Sequence, residues 1–342
     1  MVMADKKKNA KKQVRANKEN ADEKNSSGAA KGEKGGVDKV VSDSAAIAKD
    51  SSRSDLAAIQ SDVLRPPLKP HCTISSLEHD LLQRFPKEDA ETWDNTGLIV
   101  GDPSEVVTGI AVALDATVEA VRIAKGCNAN VLLTHHPVFL DPPTRIGPLV
   151  SHSFGAGSVV WEAIRCDVAL MNFHTALDVS PDAAQVLPSM LNLKFRGIVE
   201  PIAGDAKKGY GQLCGMQNGE QPMTLQNLAA RCMSVFGRPA RVWGDFDARM
   251  VSIVCATGSA GNLTRTCIEH GYDCLICGEV RYHDALAAKE AGLSIIELGH
   301  DTSELPLCAL LAATLERIGY SEDSIKVIDQ SDNWNVPEAI RV

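Results

Sequence analysis

Long apolar runs are the first thing this chain of 342 residues lacks. No stretch approaches the roughly 18 residues that a membrane-spanning helix needs, so no membrane association is expected. The start, Met1-Val2-Met3-Ala4-Asp5-Lys6-Lys7-Lys8, has no apolar core segment, and no secretory leader is expected either. The ten cysteines then read as free thiols in a reducing compartment, cytoplasmic with the nucleus as the alternative. Acidic residues in the first segment count against a mitochondrial transit peptide. Large apolar side chains are scarce from residue 1 to about 70, too few to offset the entropy of ordering. A disordered basic tail over 1–70 is therefore expected, followed by a folded body over 71–342. Lys6-Lys7-Lys8 and Lys11-Lys12 suit a nuclear-import or anionic-surface patch, protein partners reached through the tail, or a merely solvated segment. Positive charge is short in the body itself. Residues 1–70 carry 15 Lys and Arg against 10 Asp and Glu, and the rest carry 20 against 34. Such an acidic body is ill-suited to wrapping nucleic acid, and no specific nucleic-acid recognition is expected.

What the body has is alternation. Ile74, Leu77, Leu81, Leu82 and Phe85 fall at helical spacing, and Pro86 ends that helix. Apolar strands follow over 109–113, 130–134 and 168–173, with helices opening at Thr117, near Gly157 and at Pro181. The second half repeats the habit. A helix runs from Thr224 to Phe236. Strands cover 250–256, 274–277 and 294–298, and helices cover 263–270, 282–291 and 304–318. This order predicts α/β layers with mostly parallel strands. Cys274-Leu275-Ile276-Cys277 is formally a C-x-x-C, but it lies inside an apolar strand and reads as core thiols rather than a redox or zinc site.

Three of these strands end on metal-ligand residue types. The stretches are Thr134-His135-His136-Pro137, His174-Thr175-Ala176-Leu177-Asp178 and His300-Asp301-Thr302-Ser303-Glu304, and they hold four of the nine histidines. Two repeat one device, a His followed four residues later by a carboxylate. On a helical turn those positions share a face and offer one nitrogen and one oxygen to a common point. Four imidazoles and two carboxylates are too many for one structural zinc and suit two divalent ions. The set contains no cysteine. Its nitrogen and oxygen donors favour Zn²⁺, Mn²⁺, Fe²⁺, Co²⁺ or Ni²⁺ over Ca²⁺. Sites in α/β sheets form at the carboxyl ends of strands, and a single sheet is expected to gather the three stretches.

Singly, each stretch has a plainer reading. His135 and His136 could be a solvated pair, since neighbours in extended backbone point opposite ways, although Pro137 allows a turn between them. His174 with Asp178, and His300 with Glu304, could be helix caps. The repetition after separate strands argues for metal. Glu279 and His283, also four apart after a strand, are candidates for supporting the metals or for acid/base work. Thr257-Gly258-Ser259-Ala260-Gly261 precedes a helix and is a weak candidate for anion binding. Trp93-Asp94-Asn95-Thr96-Gly97-Leu98 reads as a specific loop with an Asx turn.

Together these residues resemble the NIF-three-like family, the NGG-interacting-factor-like proteins often called GTP cyclohydrolase I type 2 homologues. The likeness covers about residues 73 to 340. It rests on Trp93-Asp94-Asn95-x-Gly97-Leu98, His135-His136-Pro137, His174-Thr175-x-Leu177-Asp178, Gly278-Glu279 and Gly299-His300-x-x-Ser303-Glu304, in that order. The resemblance implies two similar, interlocked α/β lobes, here about 71–195 and 250–342 joined by 196–249. It implies a dinuclear metal centre on His135, His136, His174, Asp178, His300 and Glu304, with a bridging carboxylate that we assign to Glu304. It also implies a ring-shaped homohexamer with the metals facing an internal cavity. Phe139 stands one place early, and Asp301 stands where many relatives have Tyr or His. About 70 residues between Asp178 and Met250 leave no room for the extra domain that some relatives insert. The activity implied is a metal-dependent hydrolase acting on a nucleotide or phosphoester, with ions roughly 3.5–4 Å apart holding a bridging water. The alternative is a non-catalytic metal-binding scaffold or regulatory factor.

Overall fold

The computed structural model describes residues 72–150 and 155–337. The tail expected over 1–70 lies outside the described residues.

Local chemistry starts the elements where the sequence places them. Helix α1 (Ile74–Leu82) opens with a reciprocal cap, in which Thr73 Oγ1 accepts from Ser76 N and Ser76 Oγ accepts from Thr73 N. Its Ile74, Leu77 and Leu81 point inward. Strands β1 (Gly97–Val100) and β2 (Ile110–Ala113) lead to α2 (Val118–Gly126), which is capped by Thr117. Then come β3 (Val131–Thr134), α3 (Ala156–Cys166), β4 (Ala169–Asn172), the single turn α4 (Thr175–Asp178) and α5 (Val186–Met190). The helix expected from Pro181 is thus a 3-10 turn over Ala183–Gln185 running into a short α-helix.

These strands form a sheet in the order β1-β4-β3-β2, closed on the far edge by β13 (Ile325–Val327). Strands β4, β3, β2 and β13 run parallel to one another and β1 runs antiparallel on β4. Every residue of β2, β3 and β4 is buried, as expected for a sheet covered on both faces. The period of two sorts them. Ile110, Val112, Leu133 and Met171 face the core of α1, while Ala111, Leu132 and Leu170 face the core under α2 and α3.

The second half builds its own sheet. Its elements are β5 (Lys194–Ile202), β6 (Asp205–Gly215), β7 (Met223–Thr224), α6 (Leu225–Phe236), β8 (Arg241–Trp243), β9 (Arg249–Met250), β10 (Ile253–Cys255), α7 (Leu263–His270), β11 (Cys274–Cys277), α8 (Tyr282–Glu290), β12 (Ser294–Glu297) and α9 (His300–Arg317). The order is β5-β6-β10-β11-β12-β8, with a parallel centre and antiparallel flanks, and β7 pairs separately with β9. Residues 196–249, expected as a join between lobes, therefore supply strands and a helix to this second layer. Cys274 and Cys277 lie fully buried on opposite faces of β11, and all ten cysteines are free.

Helix α9 crosses between the halves. It starts where β12 ends, yet its Leu307, Leu311 and Leu315 fill the core of the first sheet. The following strand β13 pairs with β2 of that sheet. Among the described residues, no helix is long and apolar enough to cross a membrane.

Candidate metal centre

Each candidate histidine sits just past a strand end. His135 and His136 follow β3, His174 follows β4 and leads into α4, and His300 opens α9 after β12. The stretches therefore come from two sheets, which corrects the expectation of one. The sequence showed strand ends but not which strands were partners. The backbone bends directly after Thr134, whose Oγ1 donates to His136 O at 2.7 Å. That bend overcomes the opposed pointing of an extended pair, and the two imidazole rings lie 4.9 Å apart.

Helix α9 begins one turn before the expected start at Glu304, so His300 and Glu304 share a helical face, with His300 Nε2 at 3.1 Å from Glu304 Oε2. The same oxygen lies 2.9 Å from His136 Nε2, and Glu304 Oε1 lies 3.8 Å from His135 Nε2. Asp178 Oδ1 is 3.6 Å from His135 Nε2. Three overlapping groups have ligand atoms within 4.8 Å of one another: His135 with His136 and His174, His136 with His300 and Glu304, and His135 with Asp178 and Glu304. All six predicted ligand positions are thus brought together.

Every imidazole is steered from behind, through Nδ1. His135 Nδ1 is 3.1 Å from the Phe173 carbonyl and His136 Nδ1 is 2.8 Å from Asp115 Oδ1. His174 Nδ1 is 3.3 Å from Asp94 Oδ1 and His300 Nδ1 is 3.1 Å from Glu279 Oε1. Such outer partners fix ring orientation and raise the basicity of the opposite nitrogen. Asp94 is itself held by Thr175 N at 3.0 Å. Burial works against its charge, but hydrogen bonds from His174 and Thr175 prevail and bring its pKa down to about 2.

Inside this ring three buried atoms, His135 Nε2, Asp178 Oδ1 and Glu304 Oε2, have no aligned hydrogen-bond partner. Buried polar atoms left so are costly. Three of them converging, two from acids and one from an imidazole, fit a cation. The electrostatics agree. Burial disfavours charge on Glu304, yet the three imidazoles around it hold its carboxyl well below the usual range. Burial likewise opposes a charged His136, but Asp115 and Glu304 raise it to about 10. Glu304 above all, with Glu279 behind, raises His300 to about 9. Protons on the imidazoles stand in for positive charge that the acids demand.

The remaining sequence candidates divide. Glu279 touches His300 and is 56% exposed. His283 lies on the first turn of α8, exposed, with its ring 5.4 Å from Tyr282 and no contact to the ligand cluster among the described residues. Gly258 of the expected anion loop instead walls the metal centre. Its φ is +59°, and a Cβ there would stand 2.1 Å from Glu304 Oε1. Its N–H donates to Ser303 Oγ at 2.8 Å, and Ser303 Oγ donates to the His300 carbonyl at 2.8 Å. Asp94 and Asp115 were legible only as members of a loop and a strand end. No periodicity marks a lone acid that steers a histidine.

A profile of the Duf34/NIF3 (NGG1p interacting factor 3) family matches residues 72–333. A Streptomyces coelicolor protein named GTP cyclohydrolase 1 type 2 homolog is 31% identical over 244 residues, spanning 68% of this chain and 82% of its own length. A Staphylococcus aureus hypothetical protein of known structure shares the fold with a TM-score of 0.69 at 24% identity, over 80% of this chain and 100% of that one. A Bacillus cereus protein described as related to NIF3 gives a TM-score of 0.67 at 17% identity, over 80% of this chain and 100% of that one. The profile spans most of the chain, and the chain belongs to the Duf34/NIF3 family.

Proposed function

We propose that this chain is a dinuclear metal-dependent hydrolase acting on a nucleotide or phosphoester. The observation that carries the reading is the convergence of His135 Nε2, Asp178 Oδ1 and Glu304 Oε2, buried and without aligned partners. His135, His136, His174, Asp178, His300 and Glu304 would hold two divalent ions drawn from Zn, Mn, Fe, Co and Ni. Glu304 would bridge them, because its two oxygens face different imidazoles. Bound divalent ions supply Lewis acidity and bring the pKa of water down toward neutrality. The protein's part is to fix the rings through Asp94, Asp115, Glu279 and the Phe173 carbonyl, which preorganises the donors. Glu279, half in water beside His300, is the candidate for moving a proton between the site and solvent, with His283 as the second candidate. The name carried by the Streptomyces coelicolor relative makes a purine nucleotide the leading substrate class. A ring-shaped homohexamer in the cytoplasm or nucleus completes the proposal, and light scattering on purified protein tests the assembly.

The description "NGG1p interacting factor 3" and the basic segment over 1–70 favour a second reading, a non-catalytic metal-binding scaffold or regulatory factor. One experiment separates the two. Purified protein loaded with Zn²⁺, Mn²⁺ or Fe²⁺ is assayed against GTP and phosphodiesters, beside His174→Ala and Glu304→Ala, with elemental analysis of each sample. Turnover that disappears in both variants supports the hydrolase. Full loading without turnover supports the scaffold. A wild-type protein that takes up no transition metal ends both.

A further inference from the structure

The segment after β13 touches both ends of the ligand cluster from behind. Ile328 N donates to Val112 O at 2.8 Å, continuing the pairing with the first sheet. Gln330 follows, 6% exposed, with both its amide oxygen and its amide nitrogen engaged. Its Oε1 accepts from Leu114 N and from Asp115 N, both at 2.9 Å. Its Nε2 donates to the Asp115 carbonyl at 3.1 Å. Three backbone groups at the end of β2 are thereby tied to one side chain, at the residue whose carboxylate lies 2.8 Å behind His136. Four residues on, Trp334 Nε1 donates to Asp301 Oδ2 at 2.9 Å, and Arg238 lies 4.3 Å over the Trp334 ring. Asp301 is the neighbour of His300.

Leu114 and Asp115 leave the sheet at this point, so no neighbouring strand satisfies their N–H groups. Without Gln330 those groups would be stranded beside a buried side chain, and the turn would reorganise to find partners. Asp115 would move with the turn, and with it the ring of His136. The link reaches His136 by two short routes, through the Asp115 carboxylate at its ring and through Leu114, whose carbonyl accepts from His136 N at 2.9 Å.

We propose that Gln330 is a positioning residue of the metal centre. It sets the Asp115 carboxylate that orients His136, and so tunes the affinity for the ion that His136 helps to hold. The inference rests on the metal-binding reading above and not on catalysis.

A double-mutant cycle on the full chain tests it, with Zn²⁺ dissociation constants measured by competition against a chromogenic chelator. Gln330→Ala and Asp115→Ala are each expected to weaken one ion about 10- to 100-fold, the usual effect of removing an outer partner. The double variant is expected to lose less than the product of the two single losses, since Gln330 and Asp115 act on the same residue, His136. Ile328→Ala, a buried position in the same segment with no such link, is expected to lower the melting temperature and keep the wild-type affinities. Gln330→Met repeats the cycle with the side-chain volume preserved, should the alanine variant not fold. Losses that multiply in the double variant, affinities unchanged by Gln330→Ala or Gln330→Met, or equal losses in Ile328→Ala would overturn the proposal. Absence of Zn²⁺ binding by the wild-type chain would instead overturn the metal centre itself.

Discussion

Glu304 concentrates the electrostatics of the centre on one side chain, and its consequences can be measured residue by residue. His136 and His300, raised to about 10 and about 9, carry protons at neutral pH when no cation is present. An unfolded imidazole titrates near 6.5. A group raised on folding contributes stability that is complete below about pH 6.5 and is lost as pH climbs through the folded value. The metal-free chain should therefore lose thermal stability from about pH 7 to pH 10, while metal uptake, which must displace these protons, strengthens over the same range. Melting of chelator-treated protein across that range checks this, and a flat profile would contradict it. Gly258→Ala makes a second case. A side chain at φ +59° costs roughly 1–2 kcal/mol, and the new Cβ would stand 2.1 Å from Oε1 of the buried Glu304 and displace it. Reduced metal content by elemental analysis is the expected result, with a lowered melting temperature. The six converging positions could be read from the sequence because imidazoles stand at the ends of apolar strands, and two of them are followed by an acid at helical spacing. Gly258, Asp115 and Gln330 could not, since they act through contacts that span 45, 21 and 215 residues respectively, and no local spacing marks them.

Elements were legible where apolar residues keep a period. Ile74, Leu77 and Leu81, or Leu225, Leu228 and Cys232, declare buried helical faces, and the Thr residues before α2 and α6 mark their starts. The hairpin of β5 and β6 was missed. Lys194, Arg196 and Glu200 keep β5 half in water, and Gly197 and Pro201 break the strand pattern. Pro201 is tolerated because β5 is an edge strand, with β6 on one side only. Caps also make a clean test of how separable the elements are. Thr117 Oγ1 accepts from Ala120 N at 3.0 Å at the start of α2. Thr117→Ala should cost about 1 kcal/mol of stability by denaturant unfolding. Its metal content should stay at the wild-type level, because α2 supplies no ligand; a parallel loss of metal would show that the cap and the centre are coupled.

At the scale of the molecule, two sheets share one candidate metal centre through α9. Sequence periodicity reports which faces are buried but not against which sheet, which is why one sheet was expected where there are two. Leu311 shows the arrangement, since it follows a second-sheet strand and is fully buried in the first-sheet core. Leu311→Ala should cost about 2–5 kcal/mol and shift a single calorimetric transition to lower temperature. Two separated transitions in the scan would mean that the halves melt independently. The centre is also lopsided in its access to water. The His135 side chain is sealed at 0% exposure, whereas His300 is 39% exposed and its Glu279 backing 56%. A scavenging chelator would meet the His300 end first, so the two proposed ions should depart in sequence, a labile one and then a retained one. Stopped-flow extraction of the loaded protein should resolve two phases, and a single exponential would show that both leave by the same route.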